Sequence, residues 1–219
     1  MRDVIYFRGR RVASTAVSNW LKGNQHINMW TNQNHYLLPV TKRQCIEEMG
    51  EEYWYKTLKT VCIRNVFINS VSMFLHHKIH CKPTAQIPDD TLEKLIKKYR
   101  EEVADTWEHR NDPKYIAKNG LVWHFDRQRN IYTDDKPVVD FYINYEELDI
   151  SIDEFYIQVL DDPDLDLRKE DTAADHVIDI WKKTKNKYDP CRFFDSRTYE
   201  MVQSMRQEEV EQFNWKLDF

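Results

Sequence analysis

Asp3–Gly23 reads DVIYFRGRRVASTAVSNWLKG, and the order of its parts decides the fold. Asp3–Phe7 is a run of β-branched and aromatic side chains, which predicts a strand. Arg8–Ala13 follows as a basic loop. Thr15–Lys22 has the apolar spacing of a helix, and Gly23 supplies its stop. The chain has only four Gly, so each marks a place where the backbone needs freedom.

Working outward, the same alternation continues. Asn24–Asn34, polar and Asn-rich, predicts a loop. Thr41–Met49 predicts a helix closed by Gly50. Leu58–Ile63 (LKTVCI) predicts a second strand that ends in Arg64-Asn65, with a helix over residues 67–79. Pro83–Pro88 is a break, Asp90-x-x-Glu93 resembles a capping box, and an amphipathic helix runs on to Trp107. Short strands are expected at Leu121–Phe125 and Asn130–Thr133, and a β-rich run at Val138–Ile143. Ile152–Leu160 has a helical pattern and Asp161–Asp166 reads as a loop. Helices over 173–183 and 197–213 finish the chain. The alternation predicts an α/β fold in one domain, residues 1–219, with a central, mainly parallel sheet flanked by helices.

The chain has 219 residues, enough for one sizeable core. Hydrophobic residues at 41% and charged residues at 32% are a globular composition, not a disordered one. The net charge of −5 argues against a general nucleic-acid binder, so any anionic ligand must be held by a local cluster. No apolar run approaches the ~20 residues of a membrane span. The start MRDVIYFRGRR lacks the apolar core of a signal peptide. The expectation is a cytoplasmic protein with no membrane span. Cys45, Cys62, Cys81 and Cys191 show no CxxC spacing and read as free thiols.

A helix that starts just after a strand offers free N–H groups and a positive dipole end, which suits an anion. Arg8, Arg10 and Arg11 precede the turn, and Ser14 and Thr15 stand at the helix entrance. The loop lacks the Gly-Lys of a Walker A motif. By itself it fits two readings, a basic turn capped by Ser14 or a phosphate site. The second strand delivers Arg64 at its C-terminal end, where open α/β sheets bind ligands. Ser72 lies eight residues on.

With both loops in view, the chain resembles the P-loop-like sulfotransferases, closest in pattern to the carbohydrate branch. Their first loop has the form Pro-Lys-Thr-Gly-Gly-Thr-Ser, and here it is Arg10-Arg11-Val12-Ala13-Ser14-Thr15-Ala16. Their second, Arg-Asn-Pro-x-x-Arg-x-x-Ser, is similar to Arg64–Ser72. Asn34-His35, the helix ending in Met49-Gly50, and Tyr53-Trp54 resemble the stretch between the loops. Asp140–Leu148 is similar to their Asp-Phe-x-x-Arg-Tyr/Phe-Glu-x-Leu segment, and Glu208–Trp215 to their final helix, which ends in Phe-Gly-Tyr. Arg11 replaces Lys, Ala13 and Ser14 replace the paired Gly, the second loop lacks its Pro and second Arg, and Asn144 stands where Arg is common.

The resemblance implies a three-layer, P-loop NTPase-like fold and transfer of a sulfuryl group from 3′-phosphoadenosine 5′-phosphosulfate. It implies a hydroxyl acceptor, a carbohydrate or small molecule, with adenosine 3′,5′-bisphosphate as product, no metal and no nucleic-acid partner. Arg10, Arg11, Val12, Ala13, Ser14, Thr15 and Ala16 would grip the 5′-phosphosulfate, and Arg64 and Ser72 the 3′-phosphate. Arg11 would also stabilise charge on the leaving oxygen. His35 is the candidate general base, because imidazole titrates near neutrality; an Asp or Glu base is the rival. Two other functions remain open at this point: a non-catalytic binding relic of the fold and a P-loop kinase-like nucleotide binder.

Other clusters fit plainer readings. His76, His77, His80 and Cys81 have i,i+4 spacings that suit a metal, but a solvated helix end explains them as well. Lys94, Lys97, Lys98 and Arg100, with Glu93, Glu101 and Glu102, read as a charged helix face. Trp123, His124, Phe125, Arg127 and Arg129 sit on an expected hairpin, with Trp123 and Phe125 assigned to packing. Trp215 and Phe219 read as caps on the core.

Overall fold

β1 (Arg2–Phe7) is the strand expected from DVIYF, and its last four residues, Val4–Phe7, are all buried. A central strand of a parallel sheet is covered on both faces and so reads as a continuous apolar run. The computed structural model describes residues 2–8, 14–24, 27–31, 38–79, 88–112, 114–115, 138–160, 175–176, 178–179, 182 and 189–217. These divide into two compact units, Met1–Arg64 with Gln128–Lys183, and Asn65–Arg127 with Thr184–Phe219.

The first unit holds a four-stranded, all-parallel sheet in the order β2-β1-β3-β4, with β2 at Ile27–Thr31, β3 at Leu58–Ile63 and β4 at Phe141–Asn144. Around it lie α1 (Ser14–Gly23), α2 (Leu38–Met49), α3 (Glu51–Lys56) and α6 (Leu148–Leu160). Val4, Tyr6, Cys62, Phe141 and Ile143 form one core with Val17, Trp20 and Leu21 of α1 and Leu148, Ile152 and Phe155 of α6. Alternation turns Phe7 to the opposite face, where its ring stands 6.0 Å from that of Trp54 on α3. Each fully buried apolar side chain of this kind contributes roughly 1.5–3 kcal/mol.

Three expectations need correction here. Asn24–Asn34 is not all loop, because β2 lies within it. Among the described residues β2 pairs with β1 alone, and within it only Ile27 and Trp30 are buried. An edge strand needs few apolar residues, and the exposed Asn28 donates to Asp3 at 2.6 Å. The β-rich run becomes a strand only from Phe141. Asp140 starts the pairing: its carboxylate accepts from Lys59 N and its own N–H donates to Lys59 O, both at 2.8 Å. α6 begins four residues before Ile152, where Leu148 is wholly buried. Gly50 does close α2, with φ of +92°, a conformation that favours Gly.

The described elements of the second unit are helical: α4 (Val66–Ile79), α5 (Asp89–Glu108), a 3-10 turn at Pro190–Phe193, α7 (Ser196–Met205) and α8 (Gln207–Phe213). Phe67, Val71, Phe74 and Leu75 of α4 meet Leu92, Leu95, Ile96, Tyr99 and Val103 of α5 at helical spacing. Pro88 is the N-cap of α5, and no side chain caps it, so Asp89 and Asp90 act on the helix dipole instead of forming a capping box. The single helix expected over 197–213 is two. It breaks at Arg206, with φ −122° and ψ 26°, because the Arg206 side chain turns into the core. Its Nε and NH2 lie 2.9 and 2.8 Å from Glu209 Oε1, and both side chains are almost fully buried.

The expected strands at Leu121–Phe125 and Asn130–Thr133, with the hairpin residues around Trp123, fall outside the described residues. So do the Asp161–Asp166 loop, Cys81 and Phe219. Of the expected helix at 173–183, residues 175–176, 178–179 and 182 are described and are helical. Cys45, Cys62 and Cys191 are free thiols.

Candidate anion site at the strand ends

Parallel strands present their C-termini on one edge of the sheet, and β1 and β3 are neighbours there. Phe7 pairs with Val61, so Arg8 falls level with Cys62, and Arg64 comes two residues further along. Both arginines therefore belong to one edge of the first unit. Arg8 NH2 donates to Thr15 Oγ1 at 3.4 Å, which ties it to the first turn of α1. Arg64 is 8% exposed. Its Nε stands 3.9 Å from Glu146 Oε1 and its guanidinium lies 4.3 Å from the centroid of the Tyr145 ring.

The local sequence builds this flank. Tyr145 N donates to Ile63 O at 2.9 Å and so extends the β3–β4 ladder past its last paired residue. Asn144 Oδ1 accepts from Glu146 N at 3.1 Å, and Asn144 N donates to Ser151 Oγ at 3.0 Å. The turn after β4 is thus fixed, with an aromatic face and a carboxylate beside Arg64. Stacking on Tyr145 stabilises a guanidinium.

Cys62, wholly buried, sits between these groups. Burial pushes its thiol well up, Glu146 adds to that and Arg64 opposes it, so the thiol stays protonated and is no nucleophile. At the opposite end of β3, Lys59 is buried with Nζ 2.8 Å from Thr57 O and 5.3 Å from the centroid of the Trp54 ring. Burial lowers its pKa, while Asp140 and Cys45 work the other way.

The residues expected at the site fare differently. Arg10, Arg11, Val12, Ala13 and His35 lie outside the described residues. Ser14 opens α1, Thr15 is exposed on its first turn, and Ala16 packs against the first unit's core. Arg64 is buried at the end of β3, and Ser72 is buried on α4 of the second unit. The structure brings Arg8 to Thr15, and Arg64 to Tyr145 and Glu146. Sequence reasoning assigned no role to Tyr145 or Glu146, whose approach to Arg64 depends on β4 pairing with β3, a choice no local signal carries. Arg100, expected on a charged face, instead donates to the carbonyls of Arg192, Phe193 and Phe194, each at 3.1 Å. Lys97 and Glu101 do form the exposed pair expected of that face, at 3.9 Å.

His76 and His77 are half-buried with ring centroids 5.9 Å apart, and His80 lies outside the described residues. Among the described residues no group of three or more His, Cys, Asp or Glu is arranged to hold a metal, and no helix is long and apolar enough to cross a membrane. No protein-family model, curated protein or solved structure matches this chain.

Proposed function

We propose that the chain is a sulfotransferase of the three-layer, P-loop-like kind. Its donor is 3′-phosphoadenosine 5′-phosphosulfate, and its acceptor is a hydroxyl of a carbohydrate or small molecule in the cytoplasm. One observation carries this reading: two arginines, Arg8 and Arg64, stand at the C-terminal ends of neighbouring parallel strands, one of them tied to the first turn of a helix. Strand C-termini are where open α/β sheets bind ligands, and a helix N-terminus with guanidinium groups suits phosphate or sulfate esters.

A further feature supports it. The final helix of the resembled family ends in Phe-Gly-Tyr, and here Asn214 takes the Gly place with φ of +49°. Asn is the residue other than Gly that best tolerates that backbone.

The donor supplies the sulfuryl group, and the chain does the rest. Arg8 and the α1 N-terminus hold the sulfated end, and Arg64 holds the 3′-phosphate. Arg11 and Ser14 stabilise negative charge on the leaving oxygen. His35 takes the proton of the acceptor hydroxyl. The donor set fits such a ligand, since it is cationic and rich in N–H groups while the chain as a whole is anionic.

Calorimetric titration with adenosine 3′,5′-bisphosphate and, in parallel, ATP tests the reading. The bisphosphate binds wild type, and Arg64→Met weakens it by about 10- to 100-fold, the loss of charge-assisted hydrogen bonds. Binding of ATP alone, or of neither nucleotide, would sink the proposal. Sulfate transfer to a panel of glycans and small alcohols then reads out activity, and it is lost in His35→Ala while bisphosphate binding is kept.

A further inference from the structure

Three phenols among the described residues are buried in a core, and they are treated differently. Tyr156 accepts hydrogen bonds from Trp20 Nε1 at 3.2 Å and Asn24 Nδ2 at 2.8 Å. Tyr99 shares a hydrogen bond with Ser70 at 2.6 Å. Tyr6, on the second-to-last residue of β1, is fully buried and its hydroxyl has no hydrogen-bond partner. A buried hydroxyl left unsatisfied is destabilising, and such groups are few in native proteins.

Position says what the hydroxyl is for. Tyr6 shares its face of the sheet with Val4, and that face packs under Val17, Trp20 and Leu21 of α1. Arg8 is two residues on, and its guanidinium reaches Thr15 in the first turn of the same helix. The Tyr6 side chain therefore shares a core with Val17, at the end of the first turn of α1, and lies in electrostatic reach of Arg8 and Cys62. The helix N-terminus, the Arg8 cation and an unsatisfied donor thus belong to the same end of β1.

We propose that the Tyr6 hydroxyl is a ligand-binding group that donates a hydrogen bond to an oxygen of a sulfate or phosphate ester held at the N-terminus of α1 beside Arg8. It rests on the sulfotransferase reading for the identity of the ester, and on the first unit alone for the site. Burial, with the neighbouring Cys62, pushes the phenol well above its usual value, and the Arg8 charge only partly offsets this. The hydroxyl thus stays protonated through the physiological range and can donate to an anion. Such a role explains why the chain keeps Tyr where Phe would fit the core without an unsatisfied group.

Tyr6→Phe removes only the oxygen and tests the idea. Wild type and variant are titrated with inorganic sulfate, inorganic phosphate and adenosine 3′,5′-bisphosphate, and both are melted without ligand. The variant melts at or above wild type, yet binds sulfate and the bisphosphate roughly five- to tenfold more weakly. Equal affinity in the two proteins overturns the inference, as does a variant that melts well below wild type, since the hydroxyl would then have an internal partner. The two proposals fail separately. Bisphosphate binding that Arg64→Met weakens and Tyr6→Phe leaves alone removes the Tyr6 site and keeps the sulfotransferase. Sulfate binding that Tyr6→Phe weakens, with no bisphosphate binding in wild type, keeps the site and removes the sulfotransferase. Binding of no anion by wild type overturns both.

Discussion

Arginine is used in opposite ways in the two units. In the second, Arg206 is buried against Glu209 at 2.8 Å, and Arg100 holds the carbonyls of Arg192, Phe193 and Phe194. Both are committed to the fold. In the first unit, Arg8 and Arg64 stand at strand ends, and Arg64 has its Nε 3.9 Å from Glu146 Oε1 and its guanidinium over the Tyr145 ring. A short, buried ion pair marks a cation that holds structure. A cation at the edge of a parallel sheet, next to a helix N-terminus, is where the proposed ligand would be held.

One substitution made in both units tests that contrast. Arg206→Met keeps the stem and strands the Glu209 carboxylate in the core, so it costs about 3–5 kcal/mol in chemical denaturation. Replacing Glu209 as well, by Leu, restores most of that, because an apolar pair of similar volume needs no partner. If the single variant costs under ~1 kcal/mol, the pair does not organise the second unit.

Asp195 gives the next largest effect. Its carboxylate caps α7 through Thr198 N at 2.8 Å and lies 3.3 Å from Arg100 NH1. Burial raises its pKa, but the Thr198 hydrogen bonds and the Arg100 charge outweigh that and hold it below the usual value. Asp195→Ala costs about 1 kcal/mol at neutral pH. A depressed folded pKa stabilises above the unfolded value of about 3.9, and that stability disappears as the pH falls through the folded value. The gap between wild type and variant therefore closes in melts taken at progressively acid pH. A gap that persists at pH 2 would show that Asp195 acts by packing instead.

Arg64→Met is the smallest in stability. It removes a stacked cation whose carboxylate partner is partly exposed, so the change stays within about 1 kcal/mol. Bisphosphate affinity nevertheless falls. A loss of stability as large as that of Arg206→Met would erase the distinction between the two units.

Much of the frame was legible in residues 3–23, 41–50 and 58–79. Those segments carry strong local signals: β-branched runs, apolar spacing at 3.6 residues, and Gly at the helix ends. The basic residues at the strand ends were legible for the same reason, since strand boundaries place Arg8 and Arg64 whatever packs around them. The flank of Arg64 was not. Tyr145 and Glu146 matter because β4 pairs with β3, and that choice of neighbour is made about 80 residues away from Arg64, by Asp140 gripping Lys59 on both sides of its backbone.

The sequence by itself determined the parallel α/β plan of the first unit, the helices of the second and the cationic ends of β1 and β3, because each follows from local periodicity and from a strand's direction. Tertiary structure alone decided the rest. β2 forms in an Asn-rich stretch because an edge position asks little of it, and the last helix breaks because Arg206 finds Glu209 in the core. Tyr6 is buried in the first unit's core with its hydroxyl unanswered, because the packing of that core and not the strand pattern decides what meets it. In each case the cause is a contact, and a contact depends on which surfaces the folded chain presses together.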